Sequence, residues 1–285
     1  MTSHSATRIG AAFVLLAIVS ACGSNSPKDG PPKSGSNEVR GLPGDAVPRP
    51  EAKSRLGNGP NYEVFGKPYT VMPSAVGYKE RGVASWYGKK FHGNRTSNWE
   101  IYDMHGMTAA HKTLPLPTYV RVRNLSNNRT IVVRVNDRGP FVHNRIIDLS
   151  YAAAQKLDMI ETGTSLVEVE AITFEAPSGD QPTRQVTAAA PQQVAAPPAA
   201  ASIERSDPNH IYVQIGAFGD RANADRRLSV LRSGGIGAAA VHEDTSVSPA
   251  LYRVRMGPIQ GVDQYDLLVE ELAKLGIVDP IIVTD

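Results

Sequence analysis

The side chains best suited to acid–base chemistry lie within residues 85–150. Glu100 and Asp103 form a carboxylate pair in the segment WEIYDM, His111 ends the segment MTAAH, and Asp137 follows the apolar run IVVRV. Carboxyl groups among aromatic residues in a short unit suggest proton transfer on a sugar polymer. In that chemistry one acid protonates the leaving oxygen, while negative charge stabilises the oxocarbenium-like centre.

Each of these residues also has a simpler interpretation. Asp137 lies in NDRGP, a sequence typical of a turn, where an Asp is usually structural. Glu100 and Asp103 can face solvent or pair with Arg95. The histidines around Asp103 fit no common zinc spacing, so we expect no metal and no cofactor. No nucleotide fingerprint and no nucleophilic serine or cysteine motif is present in the sequence.

Alternating strands must hold these acids in place. Apolar and polar residues alternate over 120–123, 130–136 and 166–174, and Asn127-Asn128 supplies a turn between the first two segments. One short helix is predicted near 150–157, with Ser150 as its N-cap. Several short strands and one helix in about 95 residues favour a closed barrel, which leaves no exposed sheet edge.

The blocks GVASWYG, EIYDM, MTAAH, TLPLPTYVRVRNL and VVRVNDRGPF, in this order, resemble the rare lipoprotein A (RlpA) family. The resemblance covers about 83–158 and implies a six-stranded double-psi β-barrel. It also implies a lytic transglycosylase of peptidoglycan, with Glu100, Asp103, His111 and Asp137 at functional positions. Trp99 departs from the family, which usually has Gly before this Glu. Trp does not readily take a left-handed conformation, so we expect it to displace the Glu100 loop or to stack on a sugar ring.

A lytic transglycosylase needs no attacking water, because the muramyl C6 hydroxyl attacks its own C1. One carboxyl with a raised pKa therefore suffices as acid and then base. We expect Asp137 to be this group, since it follows an apolar strand. Glu100 and Asp103 would raise the pKa of Asp137, stabilise positive charge or position the sugar, and His111 would orient a carboxylate or contact the muramyl group.

The N-terminal residues predict where the protein is located, and composition predicts its flexible linkers. Residues 9–19 are apolar and are followed by Ser20, Ala21 and Cys22, the one cysteine. A cysteine directly after small residues resembles the processing site of a bacterial lipoprotein. We therefore expect a signal peptide over 1–21 and a lipid anchor at Cys22 in the outer membrane, facing the periplasm. Composition predicts a flexible linker over 22–78, a barrel domain over 79–176, and a Pro/Ala-rich linker over 177–206.

Residues 207–285 predict a second domain. Its strand and helix patterns follow the order βαββαβ, typical of a ferredoxin-like antiparallel sheet backed by two helices. YVQIGAF and YRVRMGPI resemble the paired signatures of SPOR domains, which bind peptidoglycan lacking stem peptides at division septa. By that resemblance the expected glycan contacts are Tyr212, Gln214, Phe218, Arg253 and Arg255. The net charge of +2 and the acidic character of this domain argue against nucleic-acid binding.

Together these features predict an anchored enzyme that cleaves the MurNAc-GlcNAc bond of denuded glycan strands endolytically, leaving 1,6-anhydroMurNAc ends during daughter-cell separation. The alternative is a non-enzymatic peptidoglycan-binding or septal scaffold lipoprotein with an expansin-like barrel. Expected partners are denuded glycan, the membrane and proteins of the division machinery.

Overall fold

The computed structural model describes residues 41–142, 144–174, 210–278 and 280–284. The predicted signal peptide, the lipidation site at Cys22 and the 177–206 linker lie outside these residues. Within the described ranges, no helix has both the length and the apolar character needed to cross a membrane.

Twelve strands and three α-helices make up the described parts of the chain. The strands are β1 (Asn61–Val64), β2 (Lys67–Thr70), β3 (Lys79–Tyr87), β4 (Thr108–His111), β5 (Thr118–Asn124), β6 (Thr130–Asp137), β7 (Arg145–Ser150), β8 (Thr164–Ile172), β9 (Ile211–Phe218), β10 (Ala239–Asp244), β11 (Leu251–Met256) and β12 (Ile281–Thr284). The helices are α1 (Tyr151–Lys156), α2 (Arg221–Ser233) and α3 (Val262–Lys274).

Six strands close into a barrel in the order β3-β7-β4-β6-β5-β8, which confirms the predicted double-psi barrel class. The pairs β3–β7 and β4–β6 are parallel and the other four are antiparallel. Alternate residues of every strand point inward and fill the interior, among them Val120, Val133 and Leu149, all fully buried. The opposite residues of each strand therefore lie on the outer wall.

The predicted short helix is confirmed as α1. Ser150 is its N-cap and accepts a hydrogen bond from the Ala153 backbone N–H at 3.2 Å. The Ser150 hydroxyl also donates to the Gly106 carbonyl at 2.6 Å. The helix start thus fixes the loop that runs from β3 to β4, and this loop carries Glu100 and Asp103.

Residues 41–78, which we call the strap, lie along the barrel wall. Backbone hydrogen bonds join Ala46 to Val132 at 3.0 Å and Met72 to Thr113 at 2.8 Å, and β1 and β2 form a hairpin between these anchors. The sequence predicted a flexible linker as far as residue 78, whereas the structure packs this part of it on the barrel. Local composition did not reveal these contacts because each partner lies far away in sequence.

The C-terminal residues form a four-stranded antiparallel sheet in the order β10-β11-β9-β12, with α2 and α3 packed against it. Asp220 caps α2 by accepting the Ala222 N–H at 2.7 Å. The predicted βαββαβ order is confirmed.

Candidate active site

Two carboxylates lie next to each other on the outer barrel wall. Strand β4 runs between β6 and β7, and its Ala110 is the cross-strand partner of both Asp137 and Asp148. Cross-strand partners share a face of the sheet, so the two acids flank one small, buried side chain. Ser85 of β3 lies opposite Asp148 and extends the row.

A bulge between Ala109 and Ala110 aligns Asp137 with this row. Ala109 pairs with Val135, but Ala110 pairs with Asp137, so Asn136 is the extra residue. Regular pairing would have placed Asn136 opposite Ala110 and turned Asp137 to the other face.

Asp148 is partly buried and has the environment of a proton donor. Burial raises the pKa of Asp148, and the nearby Asp137 charge acts in the same direction. The Ser85 hydroxyl, which donates to Asp148 Oδ1, and the positive charges of Arg145 and Lys112 oppose the shift without cancelling it. Asp148 therefore holds a proton to higher pH than an exposed aspartate does.

Three donors converge on Asp137 Oδ1. They are the Ser97 N–H at 2.8 Å, the Ser97 hydroxyl at 2.6 Å and the Arg138 N–H at 2.7 Å. An ionised carboxylate only accepts hydrogen bonds, so this arrangement suits a fixed negative charge. Asp137 and Asp148 thus occupy different environments within one row.

Glu100 is fixed above the β6 strand by charged and amide donors. Arg134 Nη1 donates to its two oxygens at 2.9 and 2.8 Å, and Asn136 Nδ2 and Asn98 Nδ2 each donate at 2.8 Å. Partial burial opposes ionisation, but the hydrogen bonds from Asn136 and Arg134 outweigh it and lower the pKa of Glu100. Glu100 is therefore a second fixed negative charge.

Arg134 is shared with a residue of the strap, Glu51. Arg134 Nε and Nη2 donate to the two Glu51 oxygens at 3.1 and 2.8 Å, and the Tyr119 hydroxyl donates to Glu51 at 2.5 Å. The Arg134 hydrogen bonds, against some burial and with help from Tyr119, lower the pKa of Glu51 to about 2. Sequence reasoning missed Glu51, because nothing in its neighbourhood signals a partner 83 positions away.

Trp99 does adopt the left-handed conformation, with φ of 72°. Its ring is 59% exposed, and the Arg95 guanidinium lies over it at 4.9 Å while also donating to the Trp99 carbonyl at 2.9 Å. Glu100 nevertheless forms hydrogen bonds with Arg134 and Asn136. Trp99 therefore does not prevent Glu100 from reaching these partners.

Asp103 lies at the exposed edge of the same loop, with a side chain 60% exposed. Its Oδ1 accepts the His105 N–H at 3.0 Å and lies 3.6 Å from His92 Nδ1. Its hydrogen bonds thus stay within the loop, apart from the row of Asp137 and Asp148. Across the described residues, no three His, Cys, Asp or Glu side chains come together as a metal site.

His111 is buried and holds the turn after β4. Its Nδ1 accepts the N–H groups of Thr113 at 3.1 Å and Leu114 at 3.0 Å, so Nε2 carries the proton and donates to the Tyr78 hydroxyl at 2.7 Å. Burial, together with the nearby Arg138 and Lys112 charges, lowers the pKa of His111 to about 3. A histidine in this state is neutral at physiological pH and orients its neighbours.

Asp148 was missed by the sequence reasoning, although a signal existed. It lies between Ile147 and Leu149 in the segment RIIDLS, and both neighbours are fully buried in the barrel interior. A lone acid that alternates with buried residues in such a strand points to the outer wall. If its carboxyl group is buried there, it needs a hydrogen-bond or charged partner.

In the C-terminal sheet, four of the expected glycan contacts share the face away from the helices. Gln214 is the partner of Arg255, Arg253 Nη1 donates to Gln214 at 3.4 Å, and Tyr212 alternates with the buried Val213. Arg253 is held by Asp244 at 2.7 Å.

Phe218 lies on the opposite face. A bulge between Val254 and Arg255 inserts Ile215, so Phe218 pairs with Tyr252 and packs against the core between sheet and helices. Simple alternation could not reveal this inserted residue.

Comparison with known proteins gives relatives for both domains. Residues 79–169 match a family described as "Lytic transglycolase", and residues 207–284 match the SPOR domain. "Endolytic peptidoglycan transglycosylase RlpA" of Pseudomonas aeruginosa (strain UCBPP-PA14) is 40% identical over 84% of this chain and 80% of its own length. The protein of the same name from Vibrio cholerae is 55% identical over 48% of this chain and 52% of its own length.

Among solved structures, Streptomyces papain inhibitor aligns with 35% of this chain and 99% of its own, at 24% identity and a TM-score of 0.30. The Pseudomonas aeruginosa relative thus matches most of the chain, at an identity that shows the family. The chain belongs to the RlpA family of endolytic peptidoglycan transglycosylases.

Proposed function

We propose that the chain cleaves the MurNAc-GlcNAc bond of peptidoglycan strands as an endolytic transglycosylase. The observation that carries this is the pair Asp148 and Asp137, held on either side of Ala110 on the outer barrel wall. One acid has a pKa raised by burial and the other accepts three hydrogen bonds, so a proton donor and a fixed negative charge lie side by side.

Asp148 is the general acid in this proposal, in place of Asp137. Its carboxyl proton passes to the glycosidic oxygen as the bond from that oxygen to C1 breaks. The Asp148 carboxylate then takes the proton of the C6 hydroxyl, whose oxygen bonds to C1 and closes the 1,6-anhydro ring. No water is consumed, and Asp148 ends protonated as it began.

The remaining site residues support that step. Asp137 and Glu100 supply negative charge near the oxocarbenium-like centre, and Arg134 keeps Glu100 in place. Asp103 and Trp99 lie at the exposed edge of the loop, where they contact neighbouring sugars. His111 is a positioning residue, because both its ring nitrogens are engaged inside the protein.

The C-terminal sheet and the N-terminal lipid determine where in the cell the enzyme acts. The C-terminal sheet presents Tyr212, Gln214, Arg253 and Arg255 to glycan lacking stem peptides, which concentrates the barrel on denuded strands at the septum. A lipid on Cys22 holds the protein at the outer membrane, facing the periplasm, where it meets proteins of the division machinery. The match to a SPOR domain supports the glycan-binding part of this proposal.

Digestion of purified sacculi followed by mass spectrometry tests the proposal. We expect 1,6-anhydroMurNAc ends from the wild type and about a 10²–10⁴-fold loss of rate in Asp148→Asn. Asp137→Asn should lose less than Asp148→Asn. Asp158→Asn is the matched control, since the Asp158 side chain is exposed and forms an ion pair with Arg129.

Three results would contradict the proposal in different ways. Hydrolysed reducing ends would indicate an ordinary glycosidase. Binding of glycan without any soluble product would favour the non-enzymatic, expansin-like alternative. Equal rates for Asp148→Asn and Asp158→Asn would remove Asp148 from the chemistry.

A further inference from the structure

The strap is fixed to the barrel beside Asp137. Arg138 Nε donates to the Gly57 carbonyl at 2.8 Å and Nη2 to Asn58 Oδ1 at 3.2 Å. Asn58 in turn exchanges two hydrogen bonds with the Leu116 backbone, at 2.6 and 2.7 Å. This segment precedes the region that matches the transglycosylase family, which begins at residue 79.

A cavity of about 420 Å³ opens between the strap and the barrel. Its strap wall includes Gly59, Tyr62 and Val64, and its barrel wall includes Ser97, Arg138 and Phe141. Volumes of this size are typical of small-ligand sites. The cavity therefore has room for a sugar residue.

The cavity adjoins the candidate active site through two shared residues. Ser97 lines it and also donates two hydrogen bonds to Asp137, and Arg138 is the residue that follows Asp137. A polymer bound across Asp137 and Asp148 must extend to either side of the cleaved bond. The cavity lies where a neighbouring sugar of that polymer would go.

The walls are aromatic, which matches the apolar C–H face of a pyranose ring. Tyr62 stacks on Tyr69 at 5.2 Å between ring centroids, and Phe141 meets Tyr62 edge-on at 6.3 Å and Tyr69 at 5.5 Å. All three rings are only partly buried. The Arg138 guanidinium lies 5.9 Å from the Tyr62 ring centroid and adds a cation beside the aromatic surface. Large rigid rings with a polar group beside them are efficient recognition surfaces.

We propose that this cavity is a sugar-binding subsite, in which Tyr62 and Phe141 contact a pyranose ring of the glycan strand next to the cleaved bond. The proposal rests on the proposed function, because the substrate defines the ligand. It assigns to the strap a direct part in holding the substrate.

Gly59 offers a way to fill the cavity without disturbing the strap. A Cβ at Gly59 would meet only the Asn61 carbonyl oxygen, at 3.7 Å, and its backbone is not left-handed. Because Gly59 lines the cavity, Gly59→Leu introduces a side chain at its wall. Gly44→Leu is the matched control, since Gly44 also lies in the strap and has open space around it.

The full chain is assayed on sacculi, and its binding of the tetramer of N-acetylglucosamine is measured by calorimetry. We expect Gly59→Leu to raise KM by about tenfold or more with kcat within about twofold, and to weaken tetramer binding by a similar factor. Gly44→Leu should match the wild type in both. Because the C-terminal sheet is unchanged in both variants, any difference between them comes from the barrel.

Equal KM and equal tetramer affinity in the two leucine variants would overturn the subsite. A wild type without turnover would instead refute the proposed function, and the calorimetric comparison would still decide whether the cavity binds sugar. If Gly59→Leu does not fold, Phe141→Leu replaces it. That change keeps an apolar side chain but removes the ring, so unchanged binding would equally refute the subsite.

Discussion

Replacing Trp99 by Gly and, separately, by Ala isolates the cost of its backbone conformation. Both changes remove the indole and its contact with Arg95, so they differ only in two backbone effects, the tolerance of φ at 72° and chain entropy. A left-handed conformation costs a residue with a Cβ about 1–2 kcal/mol, and Gly nothing comparable. At an ordinary position Ala is instead favoured over Gly by about 0.4–1 kcal/mol through chain entropy.

Subtracting the entropy advantage of Ala from the cost of its left-handed conformation leaves Trp99→Gly more stable than Trp99→Ala by about 1 kcal/mol. At an ordinary position the Ala variant would be the more stable one. For a unit the size of the barrel this corresponds to a rise in Tm of about 3–5 °C. The comparison also cancels the loss of the Arg95 contact, which is worth about 0.5–1 kcal/mol at an exposed site.

Urea unfolding followed by tryptophan fluorescence measures this difference. The chain has two tryptophans, Trp86 and Trp99, so both variants keep a single one, in strand β3 of the barrel. The signal therefore reports barrel unfolding without a contribution from the C-terminal sheet. The same pair of substitutions at exposed Val76, where φ is not positive, should show Ala as the more stable variant.

A Gly variant at position 99 that is no more stable than the Ala variant would refute the reasoning. It would mean that the loop relaxes to another conformation once the indole is gone. In that case the hydrogen bonds from Asn98 and Asn136 to Glu100 should change as well.

Further outcomes follow from His111, Glu51 and Arg253. The pKa of His111 is about 3 in the folded protein, so as pH falls the unfolded chain protonates this histidine first. The free energy of unfolding should therefore fall by about 1.4 kcal/mol per pH unit from pH 6.5 towards 3. In urea titrations, His111→Gln should lower stability but flatten this slope. Glu51→Gln should cost about 1–2 kcal/mol at pH 7, a difference that is complete above pH 4.5 and disappears as pH falls towards 2. Arg253→Ala should weaken cosedimentation with denuded sacculi while leaving the barrel's Tm unchanged, and unchanged cosedimentation would exclude the open sheet face as the contact.

Local patterns predicted the elements of both domains because their signals are local. Ser150 caps a helix where it was expected to, and the alternating segments became barrel strands. The order of elements in the C-terminal domain followed from strand and helix periodicity alone. These features depend on residues within a few positions of each other.

The site was predicted less completely, for physical reasons. Asp137 and Glu100 stand out at the ends of apolar or aromatic runs, whereas Asp148 is hidden inside one. Glu51 acts through contacts with Arg134 and Tyr119 that only the closed barrel creates. Phe218, an expected glycan contact, lies on the helix side of the sheet because an inserted residue reverses the alternation, and such bulges leave no clear mark in sequence.

The ion pair between Glu51 and Arg134 has a practical consequence for how the catalytic unit is delimited. A recombinant fragment that begins at residue 79, where the family match begins, would keep every acid of the site. It would lack Glu51, however, so Arg134 would pair with Glu100 alone. It would also lack the strap residues that form one wall of the cavity beside Asp137. A loss of activity in such a truncation would then reflect the missing Glu51 contact and cavity wall, so an informative fragment must include the strap.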